Sequence, residues 1–159
     1  MLSKRPRKHK KGVESSIAGR QFRVSLSFPG EHRTFVEGVA ASLVKTLGKY
    51  AVFYDRYYEA ELARPNLDLL LQQIYHDQSQ LLVVFLCQDY ERKEWCGLEW
   101  RAIRDLIKQR KDERIMLLRF DSTPVAGLFG IDGHIDLAAR NPAEVSELVC
   151  QRLATLRDD

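Results

Sequence analysis

From residue 21 onward, short apolar runs alternate with longer stretches of helical spacing. Phe22-Arg23-Val24-Ser25-Leu26-Ser27-Phe28 alternates with period two, the pattern of a strand. Pro29-Gly30 breaks it. Over 33–47, apolar residues fall at Phe35, Val36, Val39, Ala40, Leu43, Val44 and Leu47, which predicts a helix, and Gly48 predicts its stop. Residues 51–54 read as a second short strand, followed by a polar, aromatic-rich stretch over 55–65. Asn66 then predicts a cap for a helix carrying Leu67, Leu70, Leu71 and Ile74. Residues 80–87 are almost continuously apolar and of strand length, as expected for a central strand covered on both faces. The longest helical pattern spans 89–109. A fourth strand is expected over 114–120, a short fifth over 134–137, and a last helix from near Pro142 to about Leu156.

Strand–helix alternation implies right-handed crossovers and a parallel sheet with helices on both faces. Five strands suggest an α/β, flavodoxin-like fold with strand order 2-1-3-4-5. Sites in such sheets form in the loops beyond the carboxyl ends of the strands. Here those loops are 28–33, 55–65, 87–90 and 121–129.

Composition changes this picture only at one end. At 159 residues and 45% hydrophobic, the chain suits one domain with its own core. The net charge of +3 is uneven. Residues 1–20 hold seven basic side chains and Glu14, which leaves 18 basic and 21 acidic groups, or −3, over 21–159. Residues 1–20 therefore read as a basic, disordered arm and 21–159 as the folded domain. Such an arm is ordinarily solvated, with contact to nucleic acid the lesser alternative. No apolar segment follows the basic run as in a secretory signal, and no run is long enough to span a membrane. Cys87, Cys96 and Cys150 are odd in number and lack metal spacing, which fits reduced thiols in a cytoplasmic protein and no metal site.

The loops exclude several chemistries of this architecture. There is no GxGxxG and no GxxxxGK, so dinucleotide and P-loop cradles are unsupported. Phe-Pro-Gly-Glu-His-Arg after the first strand is poor for a flavin phosphate. Only Glu31 and Asp89 approach the acid cluster of a phospho-acceptor domain. His32 and His134 have no partner at nucleophile or metal spacing, Trp100 and Tyr75 read as packing aromatics, and Ser25 and Ser27 as ordinary strand positions.

The helix over 89–109 is more informative. Its apolar stripe runs Trp95, Cys96, Ala102, Ile103, Leu106 and Ile107, and Glu99 falls inside it. The neighbours of Glu99 one turn either way are Trp95, Cys96, Ala102 and Ile103, none of them charged. Asp105 on the same helix has Arg101 and Lys108 within reach and reads as a surface acid. A carboxylate placed like Glu99 is either paired with a group from another element or works in a cleft.

At this point the residues resemble a family. Leu26-Ser27-Phe28-Pro29-Gly30-Glu31 with Arg33-Thr34-Phe35-Val36 resembles the first strand and loop of Toll/interleukin-1 receptor (TIR) domains, especially bacterial and plant ones. Val52-Phe53-Tyr54-Asp55 with Tyr58-Glu59-Ala60-Glu61-Leu62 resembles the second strand and the start of the BB loop. Trp95-Cys96-Gly97-Leu98-Glu99 matches the WCxxE pattern of the family's αC helix. Arg119-Phe120-Asp121 with Gly127-Leu128 resembles the end of the fourth strand, and Ile135-Asp136-Leu137 the fifth. The likeness covers about 21–157, in order. The chain departs from family habit at Cys87 and Lys93, where Ser is common, and at Ala63-Arg64-Pro65, where Gly is frequent.

The resemblance implies an NAD+ glycohydrolase or cyclase that releases nicotinamide, with NAD+ as substrate and no cofactor. It implies Glu99 as the catalytic residue and Phe28, Pro29, Gly30, Asp55, Arg56, Tyr58, Cys87 and Trp95 around the substrate. One acid can suffice. Glycosidases usually need two carboxylates because an alkoxide leaving group must be protonated, whereas nicotinamide leaves as a neutral pyridine. The family also implies self-association with other TIR domains, a sensor domain or chain elsewhere, and an effector role in bacterial anti-phage immunity. A non-catalytic TIR adaptor shares the fold but often lacks the αC Glu. A nucleoside deoxyribosyltransferase-like enzyme is a third reading, for which no base-recognition loop is evident.

Overall fold

The computed structural model describes residues 16–88, 94–109, 111–125 and 133–156, and for 94–99 the backbone alone. Five strands form one parallel sheet: β1 (Phe22–Ser27), β2 (Val52–Phe53), β3 (Ser79–Leu86), β4 (Ile115–Arg119) and β5 (Ile135–Asp136). Their order is β2-β1-β3-β4-β5, as expected. The helices are α1 (Arg33–Leu47), α2 (Glu59–Leu62), α3 (Leu67–Asp77), α4 (Glu94–Lys108) and α5 (Pro142–Thr155).

Strand β3 divides the core in two. Side chains alternate across a strand, so Leu81, Val83 and Phe85 join the cluster with Val36, Val39 and Leu43 of α1 and Val145 and Val149 of α5. Leu82, Val84 and Leu86 join the opposite cluster with Leu70 and Ile74 of α3 and Ile103 and Leu106 of α4. The apolar run therefore reflects burial on both faces. Strand β1 departs from its two-faced pattern. Its alternate positions Ser25 and Ser27 are fully buried, because β1 lies between β2 and β3 with helices on both sides. A buried hydroxyl needs a partner. The Ser25 and Ser79 hydroxyl oxygens lie 2.5 Å apart, and Ser79 donates to the Ile74 carbonyl at 2.6 Å.

Helix ends follow sequence with two corrections. Gly48 ends α1 at φ 91°, a conformation that favours glycine, and its N–H reaches the Val44 carbonyl. Asn66 does stand at the start of α3, but in the left-handed region (φ 57°) and with no capping bond from its side chain. Its value there is conformational, since asparagine tolerates that region better than most residues. The side-chain cap absent from the expectations is Asn141. Its Oδ1 accepts from the Glu144 N–H at 2.9 Å, its Nδ2 donates to the Glu144 carboxylate at 3.0 Å, and Pro142 occupies the first turn. Helix α5 also comes close to α1: a Cβ added at Gly38 would lie 3.0 Å from two Pro142 atoms.

On α4, the buried side chains are Trp100, Ala102, Ile103 and Leu106, while Ile107 is 37% exposed. Trp100 stands two turns before Ile107 on the same stripe, so the buried arc keeps its direction and Ile107 emerges only in the last turn of the helix. Asp105 is a surface acid, but its partners are His76 of α3 at 2.9 Å and Gln109 at 2.9 Å rather than Arg101 or Lys108. Packing of α3 on α4 brings an imidazole closer than the helix's own cations.

The packed domain begins before residue 21. Residues 17–19 form a 3-10 turn, and Ile17 is fully buried in the α3/α4-side core. Gln78 donates to the carbonyls of Ile17 and Arg20 at 2.8 and 2.6 Å. Residues 16–20, which charge alone assigns to the arm, therefore pack on the domain, since burial of Ile17 outweighs the basic run around it. Residues 1–15 lie outside the described residues. Among the described residues, no helix is long and apolar enough to cross a membrane.

Replacing Asn141 with Ala should lower stability by about 1 kcal/mol. A urea titration should show a lower midpoint with an unchanged slope.

Candidate active site at the carboxyl edge of the sheet

The parallel sheet places the ends of β1, β2, β3 and β4 along one edge. Phe28 and Pro29 leave β1, Tyr54 and Asp55 leave β2, Cys87 and Gln88 leave β3, and Phe120 and Asp121 leave β4. Helix α4 returns from β3, so its first turns start from this same edge.

Arg33, the first residue of α1, organises the β1 and β2 ends. Its guanidinium binds the Asp55 carboxylate through two hydrogen bonds of 2.8 Å and donates to the Tyr54 hydroxyl at 3.2 Å. Its central carbon lies 5.0 Å from the Phe28 ring centroid and 5.8 Å from that of Tyr54. Phe28 in turn stacks on Tyr54 at 5.7 Å. Two parallel N–H···O bonds fix direction as well as distance. The hydrogen bonds to Asp55 hold the guanidinium above its ordinary value, so it stays charged. Burial raises the Tyr54 hydroxyl above its usual range, which keeps its proton available.

A second cluster joins the β1 and β4 ends. His32 stacks face to face on Phe120, with centroids 3.7 Å apart and planes 8° from parallel. Phe35 meets Phe120 edge-on at 5.4 Å. Asp121 accepts the Gln88 N–H at 2.7 Å and the Thr123 N–H at 3.0 Å. Burial would raise its pKa, but these amide donors prevail and hold it below the usual carboxylate value. Asp121 thereby ties the β4 end to the residues that lead towards α4.

Several expected substrate contacts gather here. Phe28, Pro29 and Gly30 lie on the β1 loop, Asp55 and Arg56 at the β2 end, and buried Cys87 at the β3 end, donating to the Gln88 carbonyl at 3.2 Å. Tyr58 does not join them. Its ring is buried between Phe22 at 5.6 Å and Phe53 at 5.7 Å, and its hydroxyl receives Arg20 at 3.4 Å. Phe22 and Arg20 belong to the amino end of β1, because the 3-10 turn Asp55–Tyr58 carries the chain away from the carboxyl edge. Trp95 and Glu99 lie in the first two turns of α4, and their side chains are outside the described residues. In helical register, position 99 is one turn before Ile103 and two before Leu106, both fully buried.

Sequence reasoning missed Arg33 as an organiser, since nothing local pairs it with a residue 22 positions away. It also left His32 without a role. The stack on Phe120 appears only when the first and fourth strands are brought within one loop's reach. A cleft of about 700 Å³ opens at the opposite edge, lined in part by Phe22, Arg23, Ser79, Lys111 and Arg114. It faces the amino ends of the strands, and Arg114 is engaged there with the carbonyls of Ser79 and His76. The carboxyl-edge loops carry the better claim to chemistry. Among the described residues, no three His, Cys, Asp or Glu side chains gather as a metal site.

The family model for the TIR domain matches residues 24–149, which takes in most of β1, all of β2 to β5 and the loops of this edge. The chain belongs to the TIR-domain family. This TIR domain is 38% identical over 133 residues to the 3' cyclic ADP-D-ribose synthase AaTIR of Aquimarina amphilecti. The match covers 84% of this chain and 40% of that protein, so the chain spans well under half the length of the relative.

Burial holds the His32 imidazole below its ordinary pKa, outweighing the pull of Asp121. The unfolded chain, with an ordinary value of about 6.5, therefore takes up the proton first. Stability is then full above that value and is lost as pH falls through it towards the folded pKa. His32→Phe keeps a ring on Phe120 without the proton. Its melting temperature should fall less than that of the wild type between about pH 7.5 and about pH 5. Equal falls would remove His32 as the source.

Proposed function

We propose that this TIR domain breaks the bond between nicotinamide and ribose in NAD+. The observation that carries this reading is the 38% identity, over 84% of the chain, to a 3' cyclic ADP-D-ribose synthase. Two further points support it. The WCxxE pattern lies on α4, which starts from the carboxyl edge. The β1 and β2 ends at that edge are held in one arrangement by Arg33 and Asp55.

In this reading Glu99 is the catalytic residue. The C1′–N bond breaks and its electron pair leaves with nicotinamide, which departs as a neutral pyridine. The Glu99 carboxylate stabilises the positive charge developing on the ribose and holds the ribose hydroxyls. Water attacking C1′ and releasing a proton gives linear ADP-ribose. A hydroxyl of the same ADP-ribose doing so gives a cyclic product. Phe28, Pro29, Gly30, Asp55, Arg56, Cys87 and Trp95 border the substrate. Tyr58 acts at a distance, by anchoring the segment that carries Asp55 and Arg56. We extend the reading to a cytoplasmic immune effector that works when several copies associate, as the family likeness implies.

The test is nicotinamide release from NAD+ by concentrated protein. The wild type should release it, more per molecule when concentrated than when dilute. Glu99→Gln should lose on the order of 100-fold or more, the usual cost of removing a group that stabilises developing charge. Equal rates would overturn the role of Glu99. A wild type inactive even when artificially clustered would favour the adaptor reading.

A further inference from the structure

The segment 55–62 starts at the carboxyl edge and ends on the amino-end side of the sheet. It is held at both ends. At the upper end Arg33 grips Asp55. At the lower end the holding groups come from residues 16–20. The Ile17 N–H donates to Glu61 Oε2 at 2.8 Å. Arg20 donates to the Tyr58 hydroxyl at 3.4 Å, and its guanidinium carbon lies 5.6 Å from the Tyr58 ring centroid.

Residues 16–20 are themselves locked. Ile17 is fully buried, in the same core cluster as Tyr58, and Leu62 packs against that cluster. Gln78 binds the carbonyls of Ile17 and Arg20, and Gln78 is 3% exposed at the junction of α3 and β3. The turn is therefore tied to the residue that leads into the central strand. The segment 55–62 has little regular structure of its own, one 3-10 turn and a single turn of α2. A short segment of this kind opens locally unless outside contacts hold it.

We propose that residues 16–20 form a strap that holds the segment 55–62 in its site-bordering position, with Arg20 and Glu61 as positioning residues for substrate binding. The functional part of this inference rests on the NAD+-cleaving reading. The expected signature follows from population. If the strap is loosened, the segment visits open states in which Arg56 and the residues after it are displaced while Arg33 still holds Asp55. Apparent affinity then falls by the fraction of molecules that remain closed. Saturating substrate restores the closed state, so KM rises while kcat holds.

The variants are Arg20→Ala combined with Glu61→Ala, and Arg20 retained with Glu61→Gln, which keeps an acceptor for the Ile17 N–H. Amide hydrogen exchange is read first, because it needs no activity. Exchange over 55–62 should quicken about tenfold in the double variant, the scale of one hydrogen bond to a charged group. Exchange in β3 should be unchanged, and Glu61→Gln should restore most of the protection. In nicotinamide release, KM should rise about three- to tenfold with kcat within about twofold. Unchanged exchange over 55–62 would overturn the strap. A fall in kcat at constant KM would overturn the positioning role. Quickened exchange in a protein whose wild type releases no nicotinamide would support the strap and count against the NAD+-cleaving reading instead.

Discussion

Strand β3 carries the structure because it has no solvent face. Each of its alternate side chains is committed to one of two cores, Leu81, Val83 and Phe85 to α1 and α5, Leu82, Val84 and Leu86 to α3 and α4. A slip of one residue would exchange the two sets and misplace every helix packed on them. That constraint fixes where β3 ends, and therefore where Cys87 and Gln88 emerge. It also fixes the neighbouring ends, since Phe120 donates its N–H to Leu86 and Leu137 its own to Arg119 across the carboxyl edge.

The edge built on this frame divides into two parts with different chemistry. Around β1 and β2, one guanidinium meets a carboxylate, a phenol and two aromatic rings. Around β1 and β4, an imidazole lies flat on a phenylalanine, and a carboxylate holds backbone amides from the next loop. Phe28, Tyr54, Asp55, Phe120 and Asp121 follow their strands within two residues, and His32, Arg33 and Phe35 stand at the start of α1, which packs on the same sheet. Their positions are therefore inherited from the sheet and not from the loops' own structure. The segment 55–62 is the exception, since it leaves the edge and needs outside holds at Asp55, Tyr58 and Glu61.

Much of the fold was legible because the signals are local and repeated. Period-two alternation at 22–28, helical spacing at 33–47 and the apolar run at 80–87 each depend on residues within one element. The parallel order followed from their alternation, through the handedness of crossovers. Of the candidate site, the edge and the loops were legible for the same reason. Errors came where a residue's environment is supplied from far along the chain. Asn66 carries the composition of a cap but makes no capping bond, and Asp105 finds His76 before its own helix neighbours.

Sequence by itself determined the class of fold, the strand order, the edge where the candidate site lies and the uncharged helical neighbours of Glu99. These are properties of periodicity and of chirality, which every residue of an element votes for. Tertiary structure alone decided that Arg33 would grip Asp55, that Tyr58 would turn into the core instead of facing the edge, and that Ile17 would belong to the domain despite its basic surroundings. Each of those outcomes rests on contacts between residues 22 or more positions apart. No local pattern encodes such a contact, because it is selected only after the strands have placed both partners within reach.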